Sequence, residues 1–182
     1  MNKYSIILPV RNGGEYVKDC INTILSQTLQ DFNLLVLDNC STDGTSEWLA
    51  SLNIEKIIIF PADKPLTIEE NWGRIKDISK NEFITLIGHD DLLYPDFLEN
   101  IDNLIKEFPA AGLYHTQFHF IDAKGKIIRN CKQMPAFFSF NELLGGFLTQ
   151  SVDSMGTGYV MKAKDWDTLP GFRLLHHNLL PS

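Results

Sequence analysis

The chain has 182 residues, 44% of them hydrophobic and 21% charged, the proportions of a folded, water-soluble domain; at this length a single domain over residues 1–182 is expected. Sixteen Lys and Arg against 23 Asp and Glu give a formal charge of −7, which repels a phosphate backbone and argues against a nucleic-acid partner. No apolar run approaches the about 20 residues that span a bilayer, and the opening MNKYSIILPV lacks the small-residue cleavage site of a signal peptide.

The first half alternates. Tyr4–Leu8 is a short continuous apolar run, the mark of a strand buried on both faces. Asn12-Gly13-Gly14 breaks it, and Tyr16, Val17, Cys20, Ile21, Ile24 and Leu25 then recur at helical spacing. A second strand, Leu34–Leu37, runs into Asp38. Gly44 and the pattern Trp48, Leu49, Leu52 mark a short helix, and Ile57–Phe60 a third strand closed by Pro61. Thr67 with Glu70 reads as a capping box opening a helix through Ile78. Phe83–Ile87 is a fourth strand and runs into Gly88-His89-Asp90-Asp91; Pro95 suits the first turn of the following helix. Repeated strand–helix units predict a parallel α/β sheet.

The second half predicts a mixed arrangement. Leu113–Ile121 reads as one long strand, Ala123–Lys126 as a turn and Ile127-Ile128 as the start of a return strand. Ser139 and Glu142 form a second capping box, and Thr157–Met161 a further strand. Residues 1–108 and 109–182 are thus read as two halves of one domain. Cys20, Cys40 and Cys131, odd in number and without CxxC spacing, read as small buried side chains in a reducing compartment rather than a disulfide framework or zinc site.

In an open parallel sheet, ligands bind beyond the carboxyl ends of the strands. Asp38 ends the second strand, and Asp90 and Asp91 follow the fourth. Taken singly, each fits a turn or a solvated helix start. Jointly they place acids on one rim with no basic residue beside them in sequence, an arrangement that a bound cation relieves. Magnesium suits it, since it takes oxygen ligands from one or two carboxylates plus substrate phosphates. The inference is a nucleoside diphosphate bound through a divalent cation. A calcium loop starting at Asn39 is rejected, because its twelfth position is Ala50. His115 and His119 would share one face of the long strand; they read as ordinary strand residues, with a two-histidine metal site as the alternative.

Three stretches together resemble the family 2 glycosyltransferases, which have a GT-A fold: Ser5–Asn12, Val36–Thr45 and Gly88–Asp91 with the helix after it. Arg11 stands where an aromatic residue is usual, and Asn39 where a second Asp is common. The resemblance implies an inverting, metal-dependent transfer of a sugar from a nucleotide-diphosphate donor, UDP being the usual carrier, to a saccharide or lipid-linked acceptor. It implies that Asp38 binds the base, with Pro9, Val10 and Arg11 lining its pocket. Asp90 would hold the ribose or diphosphate, and Asp91, with Asp90, would ligate Mg²⁺ or Mn²⁺. Glu15 and Asn71 would be supporting polar residues, while Arg74 reads as a solvated helix position. Cell-surface polysaccharide or glycoconjugate synthesis follows, in the cytoplasm or peripherally at the inner membrane face.

The reaction needs a base for the acceptor hydroxyl. Gly156–Tyr159 resembles the strand that precedes the family's acidic base, yet the stretch Arg173–Asn178 holds no acid, which leaves His176 and His177 as candidates and predicts a catalytic domain truncated at its C-terminus. Two other readings stand beside the enzyme: a sugar-nucleotide-binding module without its base, and a sugar nucleotidyltransferase. The second is disfavoured because only Arg11 is basic after the first strand.

Overall fold

The computed structural model describes residues 2–169. Their elements run β1 (Tyr4–Val10), α1 (Gly14–Leu25), β2 (Phe32–Asp38), α2 (Thr45–Ser51), β3 (Ile57–Ile59), α3 (Ile68–Gly73) with a 3₁₀ turn over Arg74–Lys76, β4 (Phe83–Leu86), α4 (Phe97–Glu107), β5 (His119–Ile121), β6 (Ile127–Asn130), α5 (Phe140–Leu148), β7 (Val160–Lys162) and α6 (Ala163–Thr168). The main sheet has the order β3-β2-β1-β4-β7. β1 to β4 are parallel, and β7 lies antiparallel on β4. This matches the predicted parallel first half and mixed second half.

The central strands are apolar at nearly every position because both faces are covered. Ile6, Leu8, Val10, Leu34 and Val36 pack on one side with Val17, Cys20, Ile21 and Ile24 of α1 and Leu98 and Ile101 of α4. The alternate residues Ile7, Leu35, Leu37, Ile84 and Leu86 pack on the other side with Ile75 and Trp166. Both capping boxes form: Thr67 with Glu70, and Ser139 with Glu142.

Three local expectations change. The predicted strand Leu113–Ile121 is broken. Tyr114 bridges Val160, the chain then leaves the ladder, and only His119–Ile121 pairs, with β6, in a separate hairpin. The helix read through Ile78 ends at Gly73, a weak helix residue, and tightens into the 3₁₀ turn. Pro95 lies before α4 rather than in its first turn; Asp96 is the cap residue, and the Pro95 carbonyl accepts the Thr28 N–H at 2.7 Å. Among the described residues no helix is long and apolar enough to cross a membrane.

Candidate active site

The chain passes from β1 outward to β2 and β3, then returns to place β4 on the other side of β1. The strand order therefore reverses between β1 and β4, where open α/β sheets bind ligands at their carboxyl ends. The β1–β4 ladder ends where Ile87 N–H bonds the Ile7 carbonyl, whereas β1 runs on beside β2, with Asn39 N–H donating to the Val10 carbonyl. In a parallel ladder alternate residues bond alternate neighbours. Pro9 thus turns its nitrogen toward β4 just where β4 has departed, so a proline is tolerated in a central strand. The two strands part at this point and leave a notch.

Gly88 lies at that notch. A Cβ on Gly88 would sit 2.7 Å from Asp91 Oδ2 and 3.0 Å from Asp90 Oδ1. The two carboxylate oxygens therefore converge on the space beside the Gly88 Cα. Asp90 is exposed and Asp91 half-buried. Neither is ion-paired among the described residues. Beneath them Cys20 Sγ contacts the Gly88 carbonyl at 3.5 Å. Burial, and then the charges of Asp91 and Asp90, push the Cys20 thiol up to about 12. Thr157 Oγ1 donates to Asp91 Oδ2 at 2.7 Å from a segment 66 residues away.

Asp38 ends β2, two strand steps from β4 and so roughly 10 Å across the rim. It is 3% exposed. Its Oδ1 accepts from the Ser41 hydroxyl at 2.7 Å and the Ser41 N–H at 3.3 Å; its Oδ2 accepts from Ser46 Oγ at 2.5 Å. Both oxygens of the carboxylate that the resemblance assigns to the base are thus bonded to the chain that follows β2. Asn39 also faces protein, holding the Leu66 backbone with its amide at both N–H (2.8 Å) and carbonyl (2.9 Å). An aspartate at position 39 cannot make the second bond, because it has no donor. Asn71 is buried, its amide donating to the Leu37 carbonyl at 3.3 Å and its oxygen accepting from Arg74 at 2.9 Å. Arg74 is no solvated side chain: its guanidinium also ties the Phe60 and Pro61 carbonyls at the end of β3.

The loops after β1 and β2 are joined. Asn12 N–H donates to Ser41 Oγ (2.9 Å), Gly13 N–H to Thr45 Oγ1 (3.1 Å), Gly14 N–H to Asp43 Oδ2 (3.0 Å), and Thr42 N–H to Asn12 Oδ1 (2.8 Å). Gly13, the N-cap of α1, has no side chain to offer, so a loop about 30 residues away caps the helix. Thr45, with the Gly14 amide, holds Asp43 below the usual carboxylate range. Asn12 and Cys40 adopt positive φ (55° and 52°) at the loop crossings.

Of the other candidates, Val10 is buried in β1 and Arg11 is exposed at its end. Glu15 is exposed and pairs with Lys18 at 2.6 Å across one helical turn. His176 and His177 lie outside the described residues. His115 and His119 do not share a strand. His119 Nδ1 bonds Asn130 at 2.8 Å, while His115 stacks on Tyr159, and burial lowers its pKa to about 4. Among the described residues no group of three or more His, Cys, Asp or Glu side chains could hold a metal by itself. The two carboxylates at Gly88 do fit a hard cation whose remaining ligands come from phosphate and water. Thr157 and Ser46 were not singled out in the sequence; the glycines around Thr157 were the nearest signal, and Asn39 and Thr45 entered only as members of the Val36–Thr45 stretch. Further along, Phe108, Tyr114, Phe137, Phe138, Phe147 and Tyr159 line an aromatic cavity of about 940 Å³.

A mostly parallel sheet with an antiparallel flank, and acids at its reversal point, is the arrangement of the GT-A fold. The comparisons are more specific: the model of Glycosyl transferase family 2 matches residues 5–163, and the chain belongs to that family. An uncharacterized glycosyltransferase, RC0461 of Rickettsia conorii, is 33% identical over 131 residues, 70% of this chain and 21% of the relative. A teichoic acid poly(glycerol phosphate) polymerase of Staphylococcus epidermidis is 28% identical over 67% of this chain and 18% of its own length. Among solved structures, S. aureus TarS 1–349 in complex with UDP superposes with a TM-score of 0.73 at 16% identity, covering 91% of this chain and 49% of that one. The mannosyltransferase PcManGT of Pyrobaculum calidifontis, in complex with GDP-Man and Mn²⁺, gives 0.51 at 18% identity, covering 62% and 34%. The chain thus spans about a fifth of these two curated relatives and half or less of these two solved chains.

Proposed function

We propose that this chain binds a nucleotide-diphosphate sugar, UDP-linked by preference, in the notch between β1 and β4, and transfers the sugar with inversion to an acceptor hydroxyl. The observation carrying this reading is the convergence of Asp90 and Asp91 on the space above Gly88 without a cationic partner among the described residues. Asp91, with Asp90, would hold Mg²⁺ or Mn²⁺, which as a Lewis acid offsets charge on the departing diphosphate. Pro9, Val10 and Arg11 would border the nucleoside. Asp38 would act on the base through the loop it organises, and Asn71 through Arg74 and the end of β3. As the bond from the acceptor oxygen to the anomeric carbon forms, the bond to the diphosphate breaks, and the acceptor proton passes to a base; His176 and His177 remain the candidates.

The complexes of TarS with UDP and of PcManGT with GDP-Man and Mn²⁺ support a nucleotide donor and a divalent cation by likeness of fold. The teichoic acid polymerase relative supports a place in cell-surface polymer synthesis on the cytoplasmic side, with a saccharide or lipid-linked acceptor. A nucleotidyltransferase is disfavoured, since the α1 amides that would grip a triphosphate are taken by Asp43 and Thr45.

Calorimetric titration with UDP tests the reading. Wild type is expected to bind UDP with Mn²⁺ and to lose it on chelation, and Asp91→Asn to resemble the chelated protein. Unchanged Mn²⁺-dependent affinity in Asp91→Asn would remove the metal assignment. Release of free sugar or product from the donor then separates an enzyme from a binding module.

A further inference from the structure

Asp91 is attached to the rim by a turn, its N–H bonding the Gly88 carbonyl at 3.1 Å. That bond fixes the backbone and leaves the carboxylate free to rotate. Among the described residues the only hydrogen bond to that carboxylate comes from Thr157, at Oδ2; Oδ1 has none. Thr157 itself is placed by contacts that do not involve Asp91. The next residue, Gly158, donates its N–H to the last carbonyl of β4, Leu86, at 2.8 Å, and Val160 exchanges backbone bonds with Tyr114 at 2.8 and 2.9 Å. Gly158 takes φ +79°, so the turn that aims Thr157 at the rim favours glycine.

We propose that Thr157 is a positioning residue for the cation site: its hydroxyl locks one oxygen of Asp91 and thereby presents the other to the cation and diphosphate. This rests on the reading of Asp91 given above. It assigns to the second half of the chain a direct part in donor binding, through one hydrogen bond between segments remote in sequence. Partners that orient a ligating carboxylate typically govern metal affinity by 10- to 100-fold.

The test is the affinity for Mn²⁺ in the presence of saturating UDP, read from the free-Mn²⁺ electron paramagnetic resonance signal, with thermal melting in parallel. Thr157→Val keeps the shape and removes the donor; it is expected to weaken Mn²⁺ binding by about 10-fold or more. Thr157→Ser, which keeps the hydroxyl, is expected to stay near wild type. Thr157→Ala, which deletes the hydroxyl without adding a methyl to the site, guards against a packing fault and is expected to fall with Thr157→Val. Wild-type Mn²⁺ affinity in both hydroxyl-free variants, with Asp91→Asn deficient, overturns the role of Thr157 and leaves the metal assignment standing. A loss in Thr157→Ser equal to that in Thr157→Val also overturns it, because shape rather than the hydroxyl would then matter. Undiminished affinity in Asp91→Asn overturns both readings.

Discussion

β1, β2 and β4 are buried almost along their whole length, and the loops after β1 and β2 are held by hydrogen bonds to one another. The second half is built otherwise. β6 is exposed at all four residues, and Phe140 and Leu148 at the two ends of α5 are each 77% exposed. The first half puts its polar rim on a packed sheet and satisfies its loops internally, so side chains such as Asp90 and Asp91 start from a fixed backbone. The second half has short strands, in the two-stranded β5–β6 hairpin and the β7 edge of the main sheet, with aromatic contacts between them. A site that needs fixed donors and acceptors belongs on the former; a surface that takes its shape from what it meets belongs on the latter.

The largest expected effect outside the cation site lies in the joined loops. Thr45 is 3% exposed and accepts from both Gly13 and Gly14 N–H. In Thr45→Val the Gly14 amide keeps Asp43, but the Gly13 amide loses its acceptor, costing about 1–3 kcal/mol. Urea unfolding should show a lower midpoint at unchanged slope; an unmoved midpoint would mean that the loops are not coupled through Thr45.

The next effect is in the second half and depends on pH. Burial lowers the folded pKa of His115 to about 4, against about 6.5 unfolded. Between those values the unfolded chain binds the extra proton, so stability rises with pH. The contribution is fully present above about pH 6.5 and is lost as pH falls through 4. His115→Phe should flatten the decline in melting temperature over that window by a few degrees; parallel curves would refute the assignment. The smallest effect is expected at the hairpin: Ile128, 67% exposed, should tolerate Thr within about 0.5 kcal/mol, measured by the same unfolding curves. A larger loss would erase the contrast between the halves.

The parallel sheet was readable because strands buried on both faces leave continuous apolar runs, and both capping boxes because their partners are three residues apart. The positions of Asp38 at the end of β2 and of Asp90-Asp91 after β4 were readable from where the apolar runs stop. What local pattern does not carry is pairing across distance. The cap of α1 by Asp43 and Thr45, the grip of Asn39 on Leu66 and the bond from Thr157 to Asp91 each join residues 27 to 66 apart. The broken strand after Tyr114 failed for a related reason: the aromatic residues at 118 and 120 pack on one another, centroids 5.2 Å apart, and ring packing imitates strand periodicity.

The shared bonding of the β1–α1 and β2–α2 loops restricts how this protein can change. An insertion between the bonded residues of either loop would slide its donors out of step with the other's acceptors. Anyone transplanting this rim onto another scaffold would have to move Arg11–Gly14 and Asn39–Thr45 together, as one cassette.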